Sequence, residues 1–186
     1  MAAAGTGQEI AIFLVSVVFG IYIILLILRT IFGLVRADYY NPISQTIVML
    51  TDPPLRVLRP VIPSLGRFDL AAIVLMVLLK FIEVWLRVII LGVDVGVGII
   101  LAAAIRELLT TVIWVFIIAL IVEVVMSWIQ AGGGAANNPI MRLAGAVNRP
   151  ILGPLRRALP NTGAIDFSPM IALVGLYILL IVVRSF

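Results

Sequence analysis

The chain has 186 residues, of which 63% are hydrophobic and 12% charged, with 13 Lys and Arg against 9 Asp and Glu and a formal net charge of +4. A soluble domain carries about 45–50% apolar and about 25% charged residues, so this composition leaves too little polar surface for a water-facing shell and implies an integral membrane protein; the basic excess fits arginine at an anionic membrane surface better than nucleic acid. The absence of Cys and His excludes disulfides, thiol nucleophiles, imidazole bases and His- or Cys-ligated zinc or haem, so no cofactor and no metal site is expected.

Ile10 to Leu28 is an uninterrupted run of 19 uncharged, mostly apolar residues, close to the roughly 20 that cross a hydrocarbon core. It predicts a first transmembrane helix over about 10–31. Met1 to Glu9 carries no Lys or Arg, so this helix is expected to be retained rather than removed as a leader. A Pro-, Asn- and Arg-rich loop, 36–67, follows. Within it Asn41-Pro42 reads as a helix start, since Asn caps a free amide and Pro at the first position loses no available bond. The short amphipathic helix that begins there is expected to stop before Pro53, because proline disfavours helical geometry in the residue preceding it.

A second span is predicted over 70–91, with Asp69 capping its start. It carries Lys80, Glu83 and Arg87 at spacings of three and four, which puts all three on one stripe that must face the bundle or a cavity rather than lipid. The connector 91–107 is too short to cross alone and is expected to hold a short interfacial or re-entrant helix, with a longer second helix or a tilted third one as the alternative. The third span, 108–129, contains Glu123, placed within reach of Lys80 and expected to pair with it. Loop 130–165 repeats the pattern with Asn138-Pro139, a helix stop at Pro150 and a cap at Asp166, and a fourth span covers 167–183.

The two loops superpose without a gap at an offset of 97. Asn41-Pro42 falls on Asn138-Pro139, Pro53 on Pro150, Leu55 on Leu152, Arg59 on Arg156, Pro63 on Pro160, Gly66 on Gly163 and Asp69 on Asp166. Matches among Pro, Gly, Asn, Arg and Asp are not the interchangeable aliphatics of membrane helices, so an internal repeat is expected. Residues 1–90 form the first copy and 108–186 the second, inserted in parallel with 91–107 as an extracytoplasmic connector. The intramembrane charges do not follow the repeat, except that Arg87 falls on Arg184. Eight of the 13 basic residues sit in the two loops, which places both loops in the cytoplasm and both termini outside. Arginines such as Arg59, Arg156 and Arg157 are suited to anchoring topology, to forking onto anionic lipid headgroups, or to meeting acidic residues of a partner.

The expected fold class is therefore all-α: a polytopic membrane protein with four transmembrane helices in two parallel repeats and interfacial loop helices. On the residues Asn41-Pro42, Pro53 to Asp69, and Pro154-Leu155-Arg156-Arg157 through Pro160 and Gly163-Ala164-Ile165-Asp166-Phe167-Ser168-Pro169-Met170, the chain resembles the YggT family of small bacterial integral membrane proteins, related to the YlmG proteins. The resemblance implies a location in the bacterial inner membrane, a link to osmotic or envelope homeostasis, and no established activity. The expected function is a non-enzymatic scaffold or assembly factor docking another membrane protein, or a second copy of the chain, through its arginine-bearing loops. The alternative is an ion pathway, or a modulator of one, using Lys80, Glu83, Arg87 and Glu123.

Overall fold

In the computed structural model, which describes residues 5–66, 68–131, 133, 138–159 and 166–186, the first apolar run forms the core of α1 (Thr6–Val35). It is followed by α2 (Pro42–Leu58), α3 (Leu70–Leu91), α4 (Val97–Ala131), α5 (Pro139–Ala158) and α6 (Ser168–Ser185). Regular structure among the described residues is helical. Three helices, α1, α4 and α6, are long and apolar enough to cross a membrane. The 22-residue α3 has the length for it and carries Lys80, Glu83 and Arg87. Pro160 and Gly163 of the expected motif, like Arg67, lie outside the described residues.

α1 packs against α3, α2, α5 and α4. Its stripe of Ile23, Leu26, Ile27 and Ile31 meets Ala71, Ala72, Leu75 and Met76 of α3 and Leu55 of α2. The small residues at the start of α3 let the two backbones approach closely, which is how membrane helices gain dispersion contacts when lipid tails are as apolar as the core. A second core joins Leu120 of α4, Leu152 of α5 and Ala172 of α6. Leu55 and Leu152, 97 positions apart, are both essentially fully buried, so each loop helix is plugged into the bundle by the same leucine. The outer faces are the reverse, with Phe13, Val18, Ile118 and Ile181 all more than half exposed. Such a surface suits hydrocarbon as its solvent.

Both loop helices start where Asn-Pro places them. Asn41 accepts from the Ile43 amide at 2.9 Å and Asn138 from the Ile140 amide at 2.9 Å. They do not stop where expected: α2 runs through Pro53 and Pro54, and α5 through Pro150 and Pro154. An interior proline removes an N–H from the carbonyl four residues back, and α1 replaces one of these donors. The Leu50 carbonyl, which Pro54 leaves open, takes the Tyr22 hydroxyl at 3.3 Å, and one turn away the Arg29 guanidinium donates to the Val48 carbonyl at 3.1 Å. Met49, Leu50 and Pro150 are exposed, so the carbonyls freed along these faces also have access to solvent.

The stretch 97–107 is not a separate interfacial or re-entrant helix. It forms the first three turns of α4, and Ile100 and Ala104 within it pack on Val84 and Val88 of α3. The break comes earlier, at Gly92, whose φ of 65° closes α3 with its N–H on the Ile89 carbonyl. The Gln8 amide then covers the Ile90 carbonyl at 2.9 Å. At about 1.5 Å per residue, the 35 residues of α4 exceed the thickness of the hydrocarbon core, so the helix tilts or projects beyond it. α1 ends differently, at Arg36 with φ 53°, in the left-handed region that glycine occupies without strain and other residues at a cost of about 1 kcal/mol or more.

Asn41 is fully buried and its side-chain amide also donates to the Pro139 carbonyl at 2.9 Å, tying the start of α2 to the start of α5. Among the described residues Asn138 has no such bond, its amide meeting the Met126 sulfur at 3.8 Å. Asn41→Ala should therefore destabilise the protein by about 1–3 kcal/mol, and Asn138→Ala by about 1 kcal/mol. Denaturant titration in detergent checks this, and equal losses at the two sites would mean that the bond between α2 and α5 contributes nothing.

Candidate functional site

Among the described residues most ion pairs gather in three clusters, with Arg142 and Asp38 forming a separate pair at 3.3 Å. The first lies between α3 and the early turns of α4. Lys80 Nζ meets Glu83 Oε2 at 2.7 Å and Glu107 Oε2 at 3.6 Å, while Arg87 meets Glu83 Oε1 at 3.5 Å and pairs closely with Glu107. Lys80 and Glu83 are buried, so the stripe faces inward as insertion costs require. Its counter-charge, however, is Glu107 and not Glu123. At about 1.5 Å per residue, Glu123 sits roughly 24 Å further along α4, at the opposite end of the helix, which rules out the expected pair with Lys80. Once the first turns of α4 continue into the span, Glu107 becomes the neighbour of α3.

The second cluster ties α1, α2 and α3 together at one end of the bundle. Arg29, at the close of the first apolar run, donates to Thr51 Oγ1 at 2.8 Å and to Asp52 Oδ1 at 2.6 Å. Asp52 also receives Arg56 at 2.9 Å and lies 3.6 Å from Arg59. Arg59 in turn binds Asp69 at 2.7 Å, and Asp69 caps α3 by accepting from the Ala72 amide.

The third cluster uses positions 97 further on. Arg156 Nε binds Asp166 Oδ2 at 2.8 Å and its Nη2 lies 3.5 Å from Glu123 of α4. Glu123 takes the Asn148 amide at 2.7 Å, and Asp166 accepts from the Ser168 amide at 2.9 Å. In both clusters one arginine of a loop helix bridges two carboxylates, one of them just ahead of the next apolar helix. Asp69 caps α3 where the sequence puts it, whereas the cap position of α6 is Phe167 and Asp166 stands one residue ahead of it, accepting from the Ser168 amide. The partners Arg29, Thr51, Asp52, Glu107 and Asn148 were not singled out from the sequence; Thr51 and Asn148 occupy one position of the 97-residue offset, and both are fully buried.

The remaining expected motif residues are scattered. Leu55 and Leu152 are core plugs, Pro42 and Pro139 open their helices, and Pro53 and Pro150 lie on exposed helix faces. Pro63 is exposed and Gly66 turns the chain with φ 62° beside the Leu65–Phe68 bridge. Arg157 lies outside the third cluster, its Nε on the Gly153 carbonyl at 3.3 Å.

Electrostatics follows the geometry. Hydrogen bonds from Arg29, reinforced by Arg56, hold the Asp52 carboxyl below the usual carboxylate range against the opposing effect of burial. Burial pushes the Asp166 carboxyl up, and bonds from Ser168 and Arg156 outweigh it, so the net shift is downward. The hydrogen bond to Asp166 raises Arg156 in turn. Acids held ionised in this way are poor proton acceptors, and among the described residues no three metal-ligating side chains converge. The arrangement holds helices together and presents no reacting pair.

Openings beside α2 include a pocket of about 420 Å³ lined by Gln45, Met49, Asp52 and Arg56. A cleft of about 320 Å³ is lined by Arg29, Arg36, Tyr39, Ser44 and Arg59. An apolar groove of about 300 Å³ runs between α1 and α4 past Leu28, Trp114 and Ile118, and Phe32 lines both.

A family model described as CCB3/YggT matches residues 8–90 and again 102–186. Among curated relatives, an uncharacterized protein of Pseudomonas aeruginosa is 37% identical over 169 residues, covering 89% of this chain and 84% of its own length. The uncharacterized protein YggT of Escherichia coli K12 is 36% identical over 167 residues, covering 90% and 85%. An uncharacterized protein of Haemophilus influenzae is 32% identical over 166 residues, covering 89% and 86%. No solved structure matches the chain.

Two outcomes follow from these bonds. Reversing Arg87 to Glu, or Glu107 to Arg, should each lower the yield of folded protein, with partial recovery in the double swap; Lys80→Glu with Glu123→Lys should show additive damage. Size-exclusion profiles of the purified variants decide it, and recovery in the second pair would contradict Glu107 as the counter-charge of the stripe. The depressed carboxyls of Asp52 and Asp166 give stability that is fully present above about pH 4 and is lost as pH falls through their folded values. The melting temperature in detergent should therefore drop on acidification below about pH 4, and less steeply in Arg29→Gln and Arg156→Gln. Parallel pH profiles for all three proteins would disprove that linkage.

Proposed function

The chain belongs to the CCB3/YggT family, and from that premise we propose that it is a multi-pass protein of the bacterial inner membrane serving as a non-enzymatic scaffold or assembly factor. In this reading α1, α3, α4 and α6 are four crossings, arranged as two parallel repeats, with α2 and α5 on the cytoplasmic face and both termini outside. The excess of arginine in the two loops supports that orientation. The closed charge pairing of Lys80, Glu83, Arg87 and Glu107 supports α3 as a crossing, since each charge on it meets an opposite one away from lipid. The second match to the family model, over 102–186, supports the repeat. A link to osmotic or envelope homeostasis follows from family resemblance alone.

The observation that carries the scaffold reading is the surface of α5. Its apolar side is buried through Leu143, Ala144, Val147 and Leu152, while Arg142, Arg149 and Arg157 are exposed. A rigid helix with such a face is a docking platform for an acidic partner segment. Arg156, by contrast, is occupied inside the molecule, so the contact shifts from the expected Arg156 to Arg149 and Arg157. The ion pathway has no comparable support, because each α3–α4 charge meets an opposite one, with Arg87 Nε alone left unbonded in the cluster, and none of the openings beside α2 is lined by these charges.

Affinity purification from native membranes in mild detergent tests this. The wild type should carry a near-stoichiometric partner, and Arg149→Ala/Arg157→Ala should lose it at least about tenfold with an unchanged melting temperature. A lone homo-oligomer in both would refute docking through this face and favour ion-flux assays in liposomes.

A further inference from the structure

Several arginines of this chain are paired inside the molecule: Arg29 with Asp52, Arg59 with Asp69, Arg156 with Asp166 and Arg142 with Asp38. Arg36 differs. Among the described residues it has no carboxylate within ion-pair distance, it is exposed, and it lines the cleft beside α2. It is also the one non-glycine residue with positive φ among the described residues. It closes α1 with its N–H on the Gly33 carbonyl and that of Ala37 on the Phe32 carbonyl, a helix end where glycine would fit without strain. An arginine therefore occupies a strained turn at the rim of a cleft, with no internal use for its charge.

The opposite wall carries a second unanswered group. Ser44, on the first turn of α2, is only 4% exposed and its hydroxyl has no hydrogen-bond partner. Buried hydroxyls are nearly always satisfied, so an orphan lining a cleft is free to bond an oxygen that enters the cleft. Both groups are donors, and with Arg29 paired to Asp52 and Arg59 to Asp69, which also lines the cleft, Arg36 is the positive charge left over there. The first turn of α2 adds the positive end of a helix dipole. From these residues we infer that the cleft binds a phosphate group, received by Arg36 and the Ser44 hydroxyl.

Two sources of phosphate fit that chemistry: an anionic phospholipid headgroup and a soluble phosphate. The cleft lies at the membrane-interface end of α1, and Phe32 links it to the apolar groove past Leu28 and Trp114. A headgroup seated here has a surface for its acyl chain, which favours the lipid. This inference is independent of partner docking through α5, since it uses neither Arg149 nor Arg157.

The test is native mass spectrometry of the full chain in detergent with phosphatidylglycerol or phosphatidylcholine, alongside thermal shift with inorganic phosphate at matched ionic strength. Arg36→Gly removes the guanidinium while supplying the residue best suited to φ 53°, so the variant should melt no lower than wild type. It should hold phosphatidylglycerol about tenfold more weakly, Ser44→Ala should lose a smaller share, and Arg149→Gln should bind as wild type does. Stabilisation of wild type but not Arg36→Gly by inorganic phosphate, without preference between the lipids, would support the site and assign it to soluble phosphate. Equal retention of both ligands by wild type and Arg36→Gly, or equal losses in Arg36→Gly and Arg149→Gln, would overturn it.

Discussion

An arginine held between two carboxylates is the device on which each half of this bundle depends. Arg59 lies between Asp52 and Asp69, and Arg156 between Glu123 and Asp166. One carboxylate belongs to the loop helix or the helix before it, and the other caps or precedes the helix that follows. A guanidinium presents five donors in a fixed fork, so it joins three elements where a lysine would join two. The loop helices have modest apolar faces, and α2 carries two interior prolines that cost it backbone bonds. Their position therefore rests on the leucine plug beneath and the arginine bridge at the end.

The same economy governs the charges between α3 and α4. Removing one partner from a buried pair leaves an uncompensated ion and costs far more than the pair itself contributes. Lys80, Glu83, Arg87 and Glu107 alternate in sign, so the cluster is neutral as a whole and each member meets an opposite neighbour. This neutrality allows a helix with three charges to lie in an otherwise apolar bundle. It also ties the register of α3 to α4, since Glu107 reaches both Lys80 and Arg87 only from between them.

Much of this was legible in the sequence because it is local. The apolar runs, the Asn-Pro starts and the Asp69 cap depend on residues within one turn, and α3 spans the predicted 70–91. What was missed depends on other elements. The helices continue through Pro53 and Pro150, and α2 is helped by donors that α1 brings from 28 and 19 residues away. Lys80 takes Glu107 because 97–107 joins α4 in one helix, a continuity that the glycines at 92, 96 and 98 disguised; only Gly92 adopts a positive φ. The stripe on α3 was readable as inward-facing, but its partner depended on where the next helix began.

The 97-residue offset also shows where the two halves of the chain diverge, and the divergence is electrostatic. Asp52 falls on Arg149, and the cation Arg29 of α1 does the work that the anion Glu123 does from α4. With Asp52 turned inward to Arg29, α2 is left with Met49, Leu50 and Val57 exposed. With Glu123 reaching out to Asn148 and Arg156, α5 keeps Asn148 buried and leaves the adjacent Arg149 outside. The outer surfaces differ with that inversion: Met49, Leu50 and Val57 stand beside the exposed Arg56 on α2, whereas α5 presents Arg142, Arg149 and Arg157, each on an Asn-Pro-started, arginine-bridged helix.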